Sequence, residues 1–149
     1  MEKKRVLVSA CLLGIECRFD GKSKENSELL NLKDKFEFFP VCPEVLGGLS
    51  TPRVPSEIID GKVINKDGID VTQNYIKGAY DTLKICNICN IDFVVFKSKS
   101  PSCGKGKIYD GTFSGNLIDG NGITTKVLID NGIKVYSEDE FIEKYSKGV

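Results

Sequence analysis

The chain has 149 residues, 40% of them hydrophobic, which suffices for one domain with a buried core and excludes a disordered polymer. Basic and acidic side chains balance at 21 each, so no net field draws the chain to nucleic acid or to an anionic membrane. No apolar run is long enough to span a bilayer. Histidine is absent, so any soft-metal site has to rest on thiolates, with carboxylates or hydroxyls beside them.

In chain order, residues 4–10 read as the first strand. Leu7-Val8-Ser9-Ala10-Cys11 superficially resembles a lipoprotein cleavage site, but a signal peptide needs an apolar stretch of about 7–15 residues there. Only Val6, Leu7 and Val8 precede the small residues, so the chain is expected to be cytoplasmic. A loop with Cys11, Gly14, Cys17, Asp20 and Gly21 follows, then a short helix within 24–34 carrying Leu29, Leu30 and Leu32. Residues 36–41 form the second strand, and Pro43 to Pro55 a long Gly- and Pro-rich loop of the kind that is usually functional. Asp60-Gly61 and Asp67-Gly68 around Val63 and Ile64 predict a hairpin over 60–68.

Asp70 is a good N-cap for a helix to about Cys89, with Tyr75, Ile76, Ala79, Tyr80, Leu83 and Cys86 at helical spacings. Residues 92–97 form the third strand and 107–113 a short extended piece. Asn121 caps a helix through Ile123, Val127, Leu128 and Ile129, with Gly132 as its left-handed end. A fourth strand at 133–136 leads to a capping box, Ser137 with Glu140, and a last helix carrying Phe141, Ile142 and Tyr145. The alternation predicts an α/β fold over residues 1–149 as a single domain, with a mainly parallel sheet flanked by helices.

Six cysteines in a chain of this type argue for metal binding or catalysis more than for disulfides. Cys11, Cys42 and Cys103 each sit just past a predicted strand. If those strands are parallel, their loops converge at the C-terminal edge of the sheet, where open α/β sheets hold ligands. Taken singly, each has a plainer reading: Cys11 as an inert buried thiol, Glu44 beside Cys42 as a solvent-facing carboxylate, and the Cys103 loop as a polar surface turn. In that loop Lys99, Lys105 or Lys107 would lower the thiol pKa. Cys86-Asn87-Ile88-Cys89 falls at the end of the long helix, where the macrodipole opposes a thiolate, so a structural role is favoured over a redox or metal role. Asp20, Arg53 and Glu57 are secondary candidates: Arg53 either hydrogen-bonds a carbonyl oxygen of the substrate or, the favoured reading, pairs with Glu57 and orders its loop.

Several motifs occur together in order: Ser9 to Gly14 with Cys17 to Gly21; Cys42-Pro43-Glu44 with Gly47-Gly48-Leu49; Pro52-Arg53 and Pro55-Ser56-Glu57; Ser98 to Gly104; and Tyr109 to Phe113. They resemble a small bacterial and archaeal family that includes the thiouracil desulfurases, over residues 5 to about 138. The resemblance implies an oxygen-sensitive 4Fe–4S cluster, easily lost in air, held by three cysteines with one iron open to a substrate's sulfur. Carried onto this sequence, the implied ligands are Cys11, Cys42 and Cys103, with Cys17 in reserve. The implied reaction replaces the sulfur of a thiolated nucleobase such as 2-thiouracil by oxygen and releases hydrosulfide. Glu44 would act as general base or proton shuttle, and Ser100 would orient water or base. One alternative is a related sulfur-transfer or tRNA-thionucleoside enzyme, which the neutral charge balance disfavours. Another is a non-catalytic zinc or redox-sensing protein, although structural zinc usually takes four paired ligands. Oligomeric state stays open.

Overall fold

The computed structural model describes residues 2–146. Along the chain run β1 (Lys4–Ser9), a 3-10 turn (Ala10–Leu13), α1 (Ser27–Leu30), β2 (Phe36–Val41), α2 (Pro43–Leu46), β3 (Ser56–Ile59) and β4 (Lys62–Asn65). Then come α3 (Thr72–Ile88), β5 (Phe93–Phe96), β6 (Lys107–Tyr109), β7 (Leu117–Asp119), α4 (Ile123–Asp130), β8 (Val135–Ser137) and α5 (Glu138–Tyr145). The central sheet has the order β2-β1-β5-β8 and every pairing in it is parallel.

Val6 to Ser9 of β1 and all of β5 are buried. Burial on both faces is what a parallel sheet between helix layers demands of its central strands. The pleat sends alternate residues to opposite sides. Val6, Val8, Phe93 and Val95 meet Leu29, Leu32, Phe36, Tyr136 and Phe141 on one face. Leu7, Val94, Phe96, Val41 and Val135 meet Cys86 and Leu128 on the other. The first face holds an aromatic cluster, with the Phe36 and Phe141 rings 5.3 Å apart and Phe93 stacked on Tyr145 at 5.6 Å.

Register fixes what happens at the functional edge. Ser9 stands opposite Val41, and Val8 opposite Val95. The chain therefore leaves β1, β2 and β5 at nearly one level, and the residues just beyond are Ala10-Cys11, Cys42 and Lys97.

Most expected elements are present, with differences that have local causes. The 24–34 helix shrinks to one turn, capped by the Asn26 side chain, which accepts from the Leu29 N–H at 3.1 Å. The loop after Cys42 opens with α2, a single turn started by Pro43 at its first position. The hairpin turns at Asp60-Gly61, and Asp67-Gly68 makes a separate turn after β4. Asp70 takes the Thr72 N–H at 2.9 Å, but Val71 is the N-cap of α3. Gly122 caps α4, while the Asn121 side chain accepts from the Gly106 N–H instead. β7, with all its residues exposed, carries no burial pattern that a sequence reading detects. The Ser137–Glu140 capping box is present in full.

Candidate active site

Cys11 lies in the 3-10 turn that continues β1, buried at its floor. Gly14 ends the turn in the left-handed region, φ 96°, donating to the Cys11 carbonyl at 3.3 Å. Cys42 is the N-cap of α2, and that helix makes an unusually close approach to α3. A Cβ at Gly78 would run into the Pro43 carbonyl, and one at Gly47 into that of Asn74. These two glycines let the turn bearing Cys42 and Glu44 press onto α3.

Cys103 is held by a tight turn after β5. Its N–H donates to Ser100 Oγ at 2.6 Å, and its carbonyl accepts from Thr125 Oγ1 of α4 at 2.8 Å. The buried Cys103 thiol donates to Ser102 Oγ at 3.8 Å, and the buried Ser9 accepts from the Lys97 N–H at 2.9 Å.

These loops surround one cavity of about 420 Å³, within the range of small-molecule sites. Cys11, Cys17, Cys42 and Cys103 line it, as do Glu44, Arg53, Tyr75 and Ser100. Phe19, Pro55, Tyr109 and Phe113 supply apolar surface toward its mouth, and Lys97 a cation. Cys86 and Cys89 lie elsewhere. Cys86 is buried against β5, and the Cys89 carbonyl accepts from Arg5 at 2.8 Å, at the opposite edge of the sheet.

The thiols sense one another. Burial pushes the Cys11 thiol up to about 11, with the Cys42 charge adding to the effect. Burial raises Cys103 further. A hydrogen bond from Cys17 holds the Cys42 thiol low, helped by the Val45 N–H and Arg53, against burial and Glu44. Cys17, as the donor of that bond, is raised. Among the described residues, no three cysteine or carboxylate side chains close on a position that would hold a single metal ion.

Arg53 crosses the site. Its Nε donates to Glu44 Oε1 at 3.0 Å, Nη2 to the Cys17 carbonyl at 3.0 Å, and Nη1 to the Ser50 carbonyl at 3.1 Å. The expected partner, Glu57, is engaged elsewhere and accepts the Gly111 and Phe113 N–H groups at 2.9 and 3.2 Å. Of the three loop lysines, Lys105 pairs with Glu140 and Lys107 with Asp119, while Lys99 lines the cavity. Tyr75 and Ser9 are site residues that the sequence did not announce. Each sits in a run whose spacing reads as buried core.

The model of the 2-thiouracil desulfurase family matches residues 6–140. This chain belongs to that family. Among relatives, the Bacillus subtilis (strain 168) protein YbbK, described as uncharacterized, is 44% identical over 145 residues, covering 91% of this chain and 96% of YbbK. Among solved structures, the [4Fe-4S]-dependent thiouracil desulfidase TudS superposes with a TM-score of 0.88 at 43% identity, covering 95% of each chain. The match extends to the α/β architecture, with its mainly parallel sheet and flanking helices. Among the described residues, no helix is long and apolar enough to cross a membrane.

Proposed function

We propose that this member of the desulfurase family holds a 4Fe–4S cluster on Cys11, Cys42 and Cys103, and replaces the sulfur of a thiolated nucleobase by oxygen. The observation that carries the reading is one cavity lined by three thiols from three separate strand ends, with Glu44 and Ser100 beside them.

The donor set fits such a cluster. Its ligands sit on different irons, so the thiolates stand apart instead of converging on one point. Three thiols from three separate loops line one cavity and supply the soft donors such a cluster takes. A fourth strong ligand is not needed, which leaves the Cys17 thiol outside the proposed ligand set. When bound, the cluster supplies an open iron that accepts sulfur as a soft Lewis acid.

The protein's own groups do the rest. Phe19, Tyr109 and Phe113 offer flat apolar surface to a planar base. Ser100 Oγ already accepts from the Cys103 N–H, so its own proton is left to donate to substrate or water. Glu44, oriented by Arg53, takes the proton of the attacking water. Water's oxygen bonds to the thiocarbonyl carbon, the carbon–sulfur bond breaks, and sulfur leaves as hydrosulfide. The ring returns as the oxo base, with no net change in oxidation state.

The test is iron and acid-labile sulfide on anaerobically purified protein, followed by thiouracil turnover on the same sample. About four of each per chain, with sulfide release, supports the reading. A cluster without turnover keeps the site and moves the search to other thiolated substrates. No iron after anaerobic reconstitution overturns it.

A further inference from the structure

Glu57 is a carboxylate of the cavity wall that the reaction above leaves without a task. It stands second in β3, only 8% exposed, and lines the cavity. A carboxylate taken out of water needs partners. Those of Glu57 are backbone amides 54 and 56 residues further along the chain. Its Oε1 accepts the Gly111 N–H at 2.9 Å and the Phe113 N–H at 3.2 Å.

Both amides belong to loop 110–116, which joins β6 to β7 and is closed at its base by the Asp110 N–H on the Asn116 carbonyl at 3.0 Å. Neither the β3–β4 hairpin nor the β6–β7 ribbon belongs to the central sheet. They meet closely here: a Cβ at Gly111 would stand 2.7 Å from Ile59 Cγ1 and 3.0 Å from the Ile58 carbonyl oxygen. Phe113 sits at φ 56°, a left-handed backbone that a bulky side chain rarely adopts. Such a conformation persists where surrounding bonds hold it, and one of the Glu57 bonds is to Phe113 itself. Phe113 in turn lines the cavity. Without the carboxylate, this loop would lose both bonds that tie it to β3.

We infer that Glu57 is a positioning residue, a latch that holds loop 110–116 against β3 and so fixes Phe113 as a wall against which the planar base binds. This rests on the reading of the cavity as a site for a thiolated base. Glu57 acts through Phe113 and takes no part in the proton transfers.

The experiment compares Glu57→Ala and Glu57→Gln with the native protein, all purified anaerobically. It reads kcat and KM for thiouracil, and the rate of chymotrypsin cleavage after Phe113. A freed loop spends less time in the form that binds, and apparent affinity falls by that fraction. Glu57→Ala is therefore expected to raise KM about tenfold and to leave kcat within about twofold. Glutamine keeps an acceptor oxygen at the same reach, so Glu57→Gln should stay within about threefold of the native KM. Cleavage after Phe113 should be about tenfold faster in Glu57→Ala than in the other two, as for any locally opened segment. In a Phe113→Ala background, the added Glu57→Ala should move KM less than about twofold, because the wall it positions is gone.

Glu57→Gln as damaging as Glu57→Ala would mean that the charge itself acts on substrate. Equal rises in KM in both backgrounds, or cleavage no faster in Glu57→Ala, would mean that the loop is held without Glu57. Each of these results overturns the inference. No turnover by the native protein would instead be a failure of the earlier reading, and the cleavage comparison then decides the latch alone. Should Glu57→Ala melt too low to assay, Glu57→Asp, whose carboxylate falls one methylene short of the amides, takes its place.

Discussion

Arg53 and Glu44 form a nearly buried ion pair in which the same guanidinium, 3.0 Å from the carboxylate, also holds the Cys17 carbonyl at 3.0 Å. It therefore joins the loop after β1 to the loop after β2. Removing one partner of such a pair strands a charge out of water. Arg53→Ala should cost about 3 kcal/mol of stability, at the low end for broken buried pairs. Urea unfolding of the metal-free variant measures this. A loss below about 0.5 kcal/mol, the level of an exposed pair, would mean that water reaches Glu44 freely.

The cysteines should divide by location. Cys11→Ser, Cys42→Ser and Cys103→Ser are each expected to lose iron and acid-labile sulfide after anaerobic reconstitution. Cys17→Ser is expected to keep both, since Cys17 meets the Cys42 thiol through its backbone carbonyl, which accepts from Cys42 Sγ at 3.8 Å and which serine retains. Cys86→Ala should keep the full complement and lose about 1 kcal/mol from its buried contacts. Iron retained in any of the first three variants would remove that residue from the ligand set.

Alkaline pH should weaken the metal-free protein. Burial pushes the Cys11 and Cys86 thiols up to about 11 from an ordinary value of 9.0. Above pH 9 the unfolded chain gives up those protons while the folded chain keeps them, so stability falls as pH rises toward 11. Below pH 9 both states are protonated and these groups add no slope. Cys86→Ala, remote from the cavity, should make the alkaline fall shallower, as read from unfolding free energies at pH 8, 9 and 10. An unchanged slope in that variant would show that Cys86 titrates alike in both states.

Gly78 should resist even one added methyl. A Cβ there meets the Pro43 carbonyl, a backbone atom on the turn that carries Cys42 and Glu44. Gly78→Ala should destabilise by about 1–3 kcal/mol, the usual cost of overpacking. It should also lower activity at unchanged Cys11, Cys42 and Cys103. The paired measurements are melting temperature and turnover of the reconstituted variant. Activity at the native level would mean that α2 slides along α3 without disturbing the site.

How much of this could be read from the chain depends on whether the signal is local. β2 was legible to the residue, because Phe36, Phe38, Phe39 and Val41 are strand formers bounded by a charged turn and Cys42-Pro43, and Pro40 is tolerated because β2 is an edge strand. The capping box at Ser137 was legible because both partners lie within one helical turn. Convergence of the cysteine loops followed from strand ends and parallel order, without any contact being known. Arg53 was misread for the same reason that the capping box was read. Glu57 lies four residues away, whereas the true partner, Glu44, lies nine residues back across the turn of α2. Tyr75 fits the apolar stripe of α3, and nothing local separates a core tyrosine from one that lines a cavity. β6 and β7 pair at the surface, where Leu117, Ile118 and Asp119 are all exposed and register leaves no hydropathy trace.

The level ends of β1, β2 and β5 have a consequence for what holds the cysteine loops in place. The strands are fixed by packing on both faces of the sheet, by Val6, Val8 and Val95 on one side and Leu7, Val94 and Phe96 on the other. None of that packing waits for a metal. A zinc finger gains its fold from its ion; the strands here are held by apolar packing on both faces of the sheet.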